Sequence, residues 1–464
     1  MTQAERLAEF VAKAGYDSIS HTAQRQLKIR ILDALGCAIG ALDAGLAQCI
    51  RSQIEDFGGA EICTLIGGGR TAPDRAAFYN STLVRYLDFN DSYLAKKETC
   101  HPSDNFGAAL AACEYARKSG RELLTALAVA YQVQCRLSDV APVRDKGFDH
   151  TTQGSYAIAA GVSKALGFNV HQTAHALAIC GTAFNALRVT RTGALSNWKG
   201  LAYPNTALCA THATFLAMRG ITGPLEVFEG NKGFMDAISG RFEIDWSRED
   251  LERVTRTIVK RYNAEIHAQS AIEAALDLRN QHGFEPTSIE RIDIEIFDVA
   301  FRIIGGGEEG DKSIVRTKEE ADHSLPYLVA VAFIDGNVLP DQYSPERIAR
   351  NDVQSLLKKV HVRSAQDLSD RFPQELPCRL KIQFQDGRTF SIEKSDYEGF
   401  LTRPVSWERA IEKFDRLSGP HARAALRNQI VETVDQLESK ETRDLTDLLR
   451  KIATAKPAVT EVMT

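Results

Sequence analysis

The chain has 464 residues, of which 44% are hydrophobic and 25% are charged, and its formal net charge is −5 at pH 7. This length is enough for two domains, or for one large domain with an appendage. A slightly acidic chain lacks the basic surface that attracts nucleic acids or anionic membranes. We therefore predict a small-molecule ligand, with no nucleic-acid partner and no membrane partner.

The cysteines and the N-terminal residues bear on localisation. Nine cysteines are scattered along the chain without a Cys-x-x-Cys pair, and residues 1–10 lack the apolar core of a signal peptide. No apolar run is long enough to span a membrane. We therefore predict reduced thiols in a cytoplasmic protein.

The first half of the chain has the apolar spacing of consecutive helices. Leu27, Ile31, Leu35 and Ile39 recur at helical intervals. Similar patterns predict helices over residues 24–42, 75–89, 104–118, 122–138, 154–166, 171–185 and 205–218. Glycines just beyond a periodic run predict where a helix ends, and they stand here at Gly120, Gly167 and Gly220.

Alternating patterns take over in the second half. Residues 292–296 alternate isoleucine with acidic residues, which predicts a half-buried strand. Residues 380–384 predict another strand, and Asp386-Gly387 predicts a hairpin turn after it. Further predicted elements are a short strand at residues 360–362 and a helix at 325–335.

The order of these elements predicts a mainly α fold with two domains. Residues 407–455 return to charged, amphipathic helix. We predict a large all-helical domain that comprises residues 1–262 and is completed by residues 402–464. A smaller α+β domain, residues 263–401, is predicted to be inserted into it.

The densest group of polar residues lies between residues 88 and 105. Asp88 and Asp91 are three positions apart, so we expect them to share a face at the end of a helix. An aspartate near His101 would fix the tautomer of its imidazole and raise its pKa. Alternatively, the two aspartates cap a helix and His101 is a loop histidine, which spacing alone favours.

The residues after His101 predict the start of a helix. Pro102 suits a first turn, and Ser103 or Asp104 would be the cap. The N-terminus of a helix attracts anions through its unpaired N–H groups and its dipole. A carboxylate ligand beside His101 would therefore make physical sense.

Lys199 precedes another predicted helix, between Trp198 and Tyr203. A lysine in a partly dry, aromatic setting can hold a carboxylate. Arg188 and Arg191 in the same loop could serve equally well. The alternative is that Lys199 is simply solvated.

Two further polar stretches lie in the predicted α+β region. Residues 260–269 combine cations, a carboxylate and a histidine at a predicted domain boundary, where ligand clefts often lie. Their alternative interpretation is a polar linker. Residues 322–324, Asp-His-Ser, followed by Tyr327, indicate either a capped helix start or the edge of a site.

Other patterns have a less specific meaning. His171 and His175 are one helical turn apart, as in a zinc-binding pair, but no glutamate follows His171 and the sequence offers no third ligand nearby. We therefore expect a surface helix there. Residues 67–70, Gly-Gly-Gly-Arg, lack the Lys-Ser/Thr of a phosphate-binding loop and predict a turn. The sequence predicts no metal site.

Four of these segments together resemble a known family. Residues 88–105, the loop around Lys199, residues 260–269 and residues 322–327 occur in this order and are similar to signature stretches of the MmgE/PrpD family. The most specific part is Asn90-Asp91 combined with residues 101–105, His-Pro-Ser-Asp-Asn. Members of the family include 2-methylcitrate dehydratase, cis-aconitate decarboxylase and iminodisuccinate epimerase.

The resemblance implies a fold and a site. The fold would be a large helical domain plus a smaller α+β lid in a homodimer, with the active site between the domains and without a cofactor. The catalytic residues would be Asp91, His101, His150 and Tyr327. The residues that bind a small polycarboxylate would be Asp88, Ser103, Lys199 and His267.

The resemblance also implies a reaction. Residues 101–105 and 264–269 are similar to the dehydratase branch, whereas residues 324–327, Ser-Leu-Pro-Tyr, lack the Cys-x-Gln-Tyr of 2-methylcitrate dehydratases. We predict dehydration of 2-methylcitrate or a related hydroxy-tricarboxylate. The alternatives are a decarboxylase of the cis-aconitate type, an epimerase of an amino-acid-like dicarboxylate, and a helical binding or regulatory protein that keeps the fold.

Overall fold

The computed structural model describes residues 1–193 and 195–452. The end of the last predicted helix, residues 453–455, and the rest of the predicted helical domain up to residue 464 lie outside the described residues. The chain forms two compact units. Among the described residues, the first comprises Met1–Arg188, Gly200–Thr257 and residues 406–452, and the second comprises residues 189–193, 195–199 and Ile258–Val405.

The first unit is built from helices, as the apolar spacing predicts. Its N-terminal helices are α1 (Gln3–Lys13), α2 (His21–Gly40), α3 (Gly45–Phe57), α4 (Pro73–Tyr86), α5 (Phe106–Tyr115), α6 (Gly120–Val140), α7 (Thr151–Leu166), α8 (Val170–Ala183) and α9 (Trp198–Met218), of which α9 begins in the segment Val189–Lys199. Two short hairpins accompany them, β1 (Cys63–Thr64) with β2 (Arg70–Thr71) and β3 (Tyr93–Leu94) with β4 (Thr99–Cys100). The glycine-rich turn predicted at residues 67–70 joins β1 to β2.

The centre of this unit consists of α2 and the helices α4 to α7. Residues 27–39 of α2 are buried without interruption, so this helix is surrounded by protein. Helices α4 and α5 pack closely because α5 carries Gly107 at the contact. A Cβ atom on Gly107 would lie 2.5 Å from the Ser81 Oγ atom and 2.6 Å from the Ser81 backbone nitrogen. This close approach fixes α5 against α4 and sets the position of the residues that precede α5.

The second unit contains the predicted sheet. Strands β5 (Ile289–Ile296), β6 (Val360–Ser364), β7 (Cys378–Phe384) and β8 (Thr389–Lys394) form it in the order β6-β5-β7-β8, with β5 and β6 parallel and the other pairs antiparallel. The helices of this unit are α10 (Gln269–His282), α11 (Asp298–Ile304), α12 (Lys318–Ala321), α13 (Leu325–Asp335), α14 (Pro345–Ile348), α15 (Asn351–Leu357) and α16 (Gln366–Ser369). Ile292, Ile294 and Ile296 are buried, and they pair with buried residues of β7.

The chain then returns to the first unit with α17 (Trp407–Ser418), α18 (Ala424–Asp435) and α19 (Thr442–Leu449). Helix α17 packs on α2. None of the described helices combines the length and the apolar character that crossing a lipid bilayer requires.

Two local predictions differ from the structure. Gly120 begins α6 instead of ending α5. Helix α5 ends at Tyr115, Arg117 takes a left-handed backbone with φ 53°, and Ser119 caps α6. His175 is buried in α8, so the surface helix expected at His171 and His175 is half buried.

Candidate active site

A hairpin places His101. Strand β4 ends at Cys100, and His101 links it to a short turn of 3-10 helix (Pro102–Asn105) that leads into α5. Because β3 and β4 run antiparallel, the residue after β4 lies beside the residues that precede β3. The His101 Nδ1 atom therefore lies 2.8 Å from the Asp91 backbone oxygen and 3.0 Å from the Ser92 Oγ atom. His101 itself is buried.

This contact fixes the tautomer of His101. A backbone carbonyl can only accept a hydrogen bond, so Nδ1 carries the hydrogen and donates it to Asp91. In the neutral ring, Nε2 then holds the lone pair. His101 is therefore held in the form that can accept a proton at Nε2.

The Asp91 carboxylate contacts residues other than His101. The Ser103 backbone N–H donates to Oδ1 at 3.0 Å, the Tyr131 hydroxyl donates to Oδ2 at 2.8 Å, and the Arg30 Nε atom lies 4.0 Å from Oδ2. Burial raises the pKa of Asp91, and Arg30 and the hydrogen bonds lower it in part. The expectation that the carboxylate itself orients His101 is therefore corrected: the backbone carbonyl does so, and the carboxylate anchors the loop.

Asp88 and Ser103 hold this loop together. Helix α4 ends at Tyr86, and Asp88 has a left-handed backbone with φ 55°, so Asp88 and Asp91 do not share a helix face. The Arg85 Nη1 atom donates to Asp88 at 2.6 Å. The Asn90 amide donates to the Ser103 Oγ atom at 2.9 Å. Ser103 is therefore not the predicted cap, because its hydroxyl and its N–H serve the loop.

His150 is the second imidazole of this region, at the start of α7. Its ring centroid lies 5.6 Å from that of His101, with the rings at 72°, and 6.2 Å from that of Tyr203. The His150 Nδ1 atom lies 3.3 Å from a carboxylate oxygen of the buried Asp149. Arg188 lies 3.7 Å from the other Asp149 oxygen. We call His101, His150, Asp91 and Asp149 the histidine cluster.

Lys199 lies in the second unit and is buried, which corrects the solvated alternative. Its Nζ atom is 2.7 Å from Asp322 Oδ1 and 2.9 Å from His323 Nδ1. Lys318 Nζ is 2.7 Å from Asp322 Oδ2. Burial raises the pKa of Asp322, but the nearby Lys199, Lys318 and His323 outweigh burial and hold it well below its usual range. A charged carboxylate therefore explains why Lys199 can be buried.

His323 Nδ1 has two possible hydrogen-bond partners, Asp322 and Lys199. His323 Nδ1 lies 2.7 Å from Asp322 Oδ1 as well as 2.9 Å from Lys199 Nζ. A ring nitrogen either carries a hydrogen or offers a lone pair, so Nδ1 can donate to Asp322 or accept from Lys199 but not both. His323 can therefore carry its ring hydrogen on Nδ1, donating to Asp322, or leave Nδ1 without it and accept from Lys199.

Glu265 and His267 form a hydrogen-bonded pair in this unit. His267 Nδ1 is 2.7 Å from Glu265 Oε1, and its backbone N–H donates to Oε2 at 2.7 Å. Burial would raise the pKa of Glu265, but His267, followed by His323 and Lys260, lowers it to about 2. Among the residues that the structure describes, the buried Nε2 atom of His267 has no hydrogen-bond partner. We call Lys199, Asp322, His323, Glu265 and His267 the lysine cluster.

Tyr327 lies in the second unit, within the predicted α+β region. It is fully buried in α13, and its hydroxyl donates a hydrogen bond to the Gln342 carbonyl. Burial raises the pKa of Tyr327 above its usual range. Because its proton is engaged within the second unit, we do not retain Tyr327 as a catalytic acid. Ser324, as predicted, caps the helix by accepting from the Tyr327 N–H.

Two cavities lie away from these residues. One of about 590 Å³ lies beside α1 and is lined in part by Phe10 and Trp246. The other, about 630 Å³, lies over the polar face of the sheet, beside Glu295 and Arg379. None of the eight predicted site residues lines either cavity. We rank the two clusters above both because they combine buried imidazoles, carboxylates and a lysine, which are the groups that acid–base chemistry uses.

The fold and the clusters together define a class. A mainly helical protein with buried, oriented histidines and a buried lysine held by a carboxylate has the side chains that an acid–base enzyme uses. The chain belongs to the MmgE/PrpD family: residues 5–247 match the MmgE/PrpD N-terminal domain, and residues 262–438 match the MmgE/PrpD C-terminal domain.

Several curated relatives are similar over most of their length. The cis-aconitate decarboxylase of Mus musculus is 27% identical over 84% of this chain and 81% of its own. The probable 2-methylcitrate dehydratase of Saccharomyces cerevisiae is 28% identical over 89% and 83%, respectively. The 2-methylcitrate dehydratase of Salmonella typhi is 25% identical over 88% and 86%. Relatives of similar identity thus carry names of two different reactions.

Proposed function

We propose that this chain is a hydro-lyase that needs no cofactor and removes water from 2-methylcitrate or a related hydroxy-tricarboxylate. The observation that carries the proposal is the hydrogen bond from His101 Nδ1 to the Asp91 carbonyl, because it leaves the Nε2 lone pair as a base. The relatives named 2-methylcitrate dehydratase in yeast and Salmonella support the reaction type.

The proposed reaction is an elimination. His101 Nε2 takes the proton from the carbon next to a carboxylate, and the electron pair of that C–H bond forms the new carbon–carbon double bond. The hydroxyl group on the adjacent carbon leaves with its bonding pair and takes a proton from a second acid. One substrate thus gives one unsaturated acid and one water, and both histidines exchange their protons with solvent afterwards.

His150 is the proposed second acid. Its ring is close to that of His101 but steeply inclined to it, so the two imidazoles can address different atoms of one substrate. Asp149, 3.3 Å from Nδ1, stabilises the protonated ring. A protonated His150 can then release the proton on its other nitrogen to the leaving hydroxyl.

Lys199 is the proposed carboxylate-binding cation. Proton removal next to a carboxylate moves negative charge onto that group, so a cation beside it stabilises the transition state more than the ground state. Asp322 Oδ1, 2.7 Å from Nζ, is the buried carboxylate that faces this cation. His267, whose buried Nε2 atom has no hydrogen-bond partner among the described residues, is the proposed second carboxylate contact.

Decarboxylation is the second candidate, and the mouse relative named cis-aconitate decarboxylase favours it. The same histidines would then only protonate the carbon that loses carbon dioxide. Epimerisation and a binding role without turnover complete the alternatives. The lid role of residues 263–401 and a homodimeric assembly belong to the proposal as well. Light scattering of the purified protein measures the assembly.

A substrate panel tests the proposal. The purified enzyme is incubated separately with 2-methylcitrate, citrate, cis-aconitate and iminodisuccinate. Dehydration gives an ultraviolet-absorbing conjugated acid without gas. Carbon dioxide from cis-aconitate indicates the decarboxylase, and deuterium uptake from heavy water with inversion of iminodisuccinate indicates the epimerase. Turnover of none of the four would contradict the enzyme proposal and support a binding protein.

A further inference from the structure

The two histidines near the start of α8 are close together. The Nε2 atoms of His171 and His175 are 3.1 Å apart. His175 is buried, whereas His171 is exposed to solvent. Helix α8 is 14 residues long and begins with a capping box between Asn169 and Gln172, so the first turn that carries His171 is held in place.

The ring geometry differs from a head-on hydrogen bond between two imidazoles. Two rings that point at each other across 3.1 Å would have centroids roughly 5.4 Å apart. Two rings whose Nε2 lone pairs converge on one ion, with metal–nitrogen bonds of about 2.0–2.1 Å, would have centroids about 4.8 Å apart. The centroids of His171 and His175 are 4.4 Å apart, with the ring planes at 84°, so the two rings do not point at each other head-on.

The distance between the nitrogens also fits a coordinated ion. Two metal–nitrogen bonds of about 2.05 Å that span 3.1 Å subtend roughly 100° at the ion. This value lies between the right angle of octahedral or square-planar sites and the tetrahedral angle of about 109°. The i, i+4 spacing on a helix therefore places the two Nε2 atoms at a separation that one metal ion can bridge.

The backbone at Gly223 holds the His175 ring in place. His175 Nδ1 lies 3.2 Å from both the carbonyl oxygen and the backbone nitrogen of Gly223. With its lone pair on Nδ1, His175 accepts from the Gly223 N–H. With its hydrogen on Nδ1, His175 donates to the Gly223 carbonyl instead, and its Nε2 atom then presents a lone pair. Histidines that bind metals are commonly oriented in this way by a backbone carbonyl on the other ring nitrogen.

We propose that His171 and His175 form a binding site for a divalent late transition-metal ion, such as Zn²⁺, Ni²⁺ or Cu²⁺. Imidazole nitrogen suits these ions, and water completes the coordination on the exposed side of His171. The site shares no residue with the histidine cluster or the lysine cluster. Through the contact with Gly223 it joins the start of α8 to the segment after α9.

Metal titration of the full-length protein tests this site. Zn²⁺ is titrated by calorimetry, and Cu²⁺ by electron paramagnetic resonance, at about pH 7.5 and about pH 5. The wild type should bind one equivalent more than His171→Ala, or bind it at least tenfold more tightly, with nitrogen hyperfine splitting for Cu²⁺. The difference should vanish at about pH 5, because protons compete for imidazole. His171 is exposed, so its replacement should leave the fold intact.

His212→Ala is the matched control, since His212 is an exposed histidine beside Asp74 with no second imidazole recorded next to it in the described part of the chain. It should bind like the wild type. Zn²⁺ should also raise the thermal midpoint of the wild type and of His212→Ala but not of His171→Ala. Equal binding by wild type and His171→Ala, or an equal loss in His212→Ala, would overturn the site.

Discussion

The Nδ1 atom of His101 donates to the backbone carbonyl oxygen of Asp91 across 2.8 Å. This carbonyl fixes the tautomer of the imidazole, and unlike a carboxylate it carries no full negative charge. The imidazole is therefore oriented by a neutral group. This single bond makes Nε2 of His101 the atom on which the proposed elimination depends.

Replacement of His101 should abolish most turnover. His101→Ala removes the base but leaves the Asp91 carboxylate bonded to Ser103 and Tyr131, so the loop should keep its position. We expect kcat to fall by about 10²–10⁴, with an unchanged circular dichroism spectrum. Steady-state kinetics on the substrate that the panel identifies measures the effect. A near-normal kcat would remove His101 from the mechanism, and His212→Ala, at an exposed histidine, is the control.

Lys199→Met should affect both binding and stability. The substitution removes the cation proposed to hold a carboxylate, so KM should rise and kcat should fall. It also leaves the buried Asp322 without one partner, which costs up to about 3–5 kcal/mol of the free energy of unfolding. Lys318 remains 2.7 Å from the other Asp322 oxygen and should moderate this cost.

A double variant separates the two roles of Lys199. Lys199→Met combined with Asp322→Asn removes both charges, so the free energy of unfolding should recover relative to Lys199→Met. Turnover should stay low, because the proposed carboxylate contact is still missing. If turnover recovered together with stability, Lys199 would have only a structural role.

Tyr327→Phe should have little effect on turnover. The hydroxyl donates to the Gln342 carbonyl, so its loss removes one buried hydrogen bond and leaves that carbonyl without this donor. We expect a destabilisation of about 1–2 kcal/mol and a kcat within a few-fold of the wild type. Urea unfolding and steady-state kinetics measure the two effects. A fall in kcat of a hundredfold or more, with intact folding, would return Tyr327 to the catalytic set.

The Glu265–His267 pair predicts a pH-dependent stability. The pKa of Glu265 is lowered from 4.5 to about 2 in the folded chain. The charged carboxylate therefore stabilises the fold fully above about pH 4.5, and this contribution is lost as the pH falls toward 2. It amounts to about 3 kcal/mol. Glu265→Gln should thus reduce the free energy of unfolding at about pH 6, and its difference from the wild type should shrink at about pH 3.

Urea unfolding of both proteins over this pH range measures that difference. Glu412→Gln is the control, because Glu412 is an exposed partner of Arg409 and its replacement should have a small effect at every pH. A wild-type advantage over Glu265→Gln that stayed constant down to about pH 3 would contradict the low pKa of Glu265.

Periodicity predicted the main elements because burial follows it. The alternation at Ile292, Ile294 and Ile296 gave the central strand, and the helix at Leu325–Asp335 matches its predicted range. Helix ends were less predictable, because non-glycine residues also adopt the left-handed backbone. Asp88 and Arg117 do so after α4 and α5, respectively, and composition carries no signal for that.

The sequence motifs predicted candidate site residues, but they did not predict the hydrogen-bond partners of those residues. Tyr131 lies inside the apolar pattern of α6, so nothing in the sequence marks its bond to Asp91. Arg30 is a charged residue in the middle of the buried helix α2, which is a signal that could have indicated a buried anion nearby. The burial of Lys199 depends on Asp322, 123 residues further along the chain, and such a pairing is beyond local patterns.

The central claim is that a proton next to a carboxylate leaves together with the neighbouring hydroxyl. The most direct test uses 2-methylcitrate that carries deuterium on the methyl-bearing carbon, with mass spectrometry of the product. The account predicts an unsaturated acid that has lost one deuterium and one hydroxyl, formed by the wild type and nearly absent with His101→Ala. Unchanged 2-methylcitrate, or a product that has lost carbon dioxide, would contradict it.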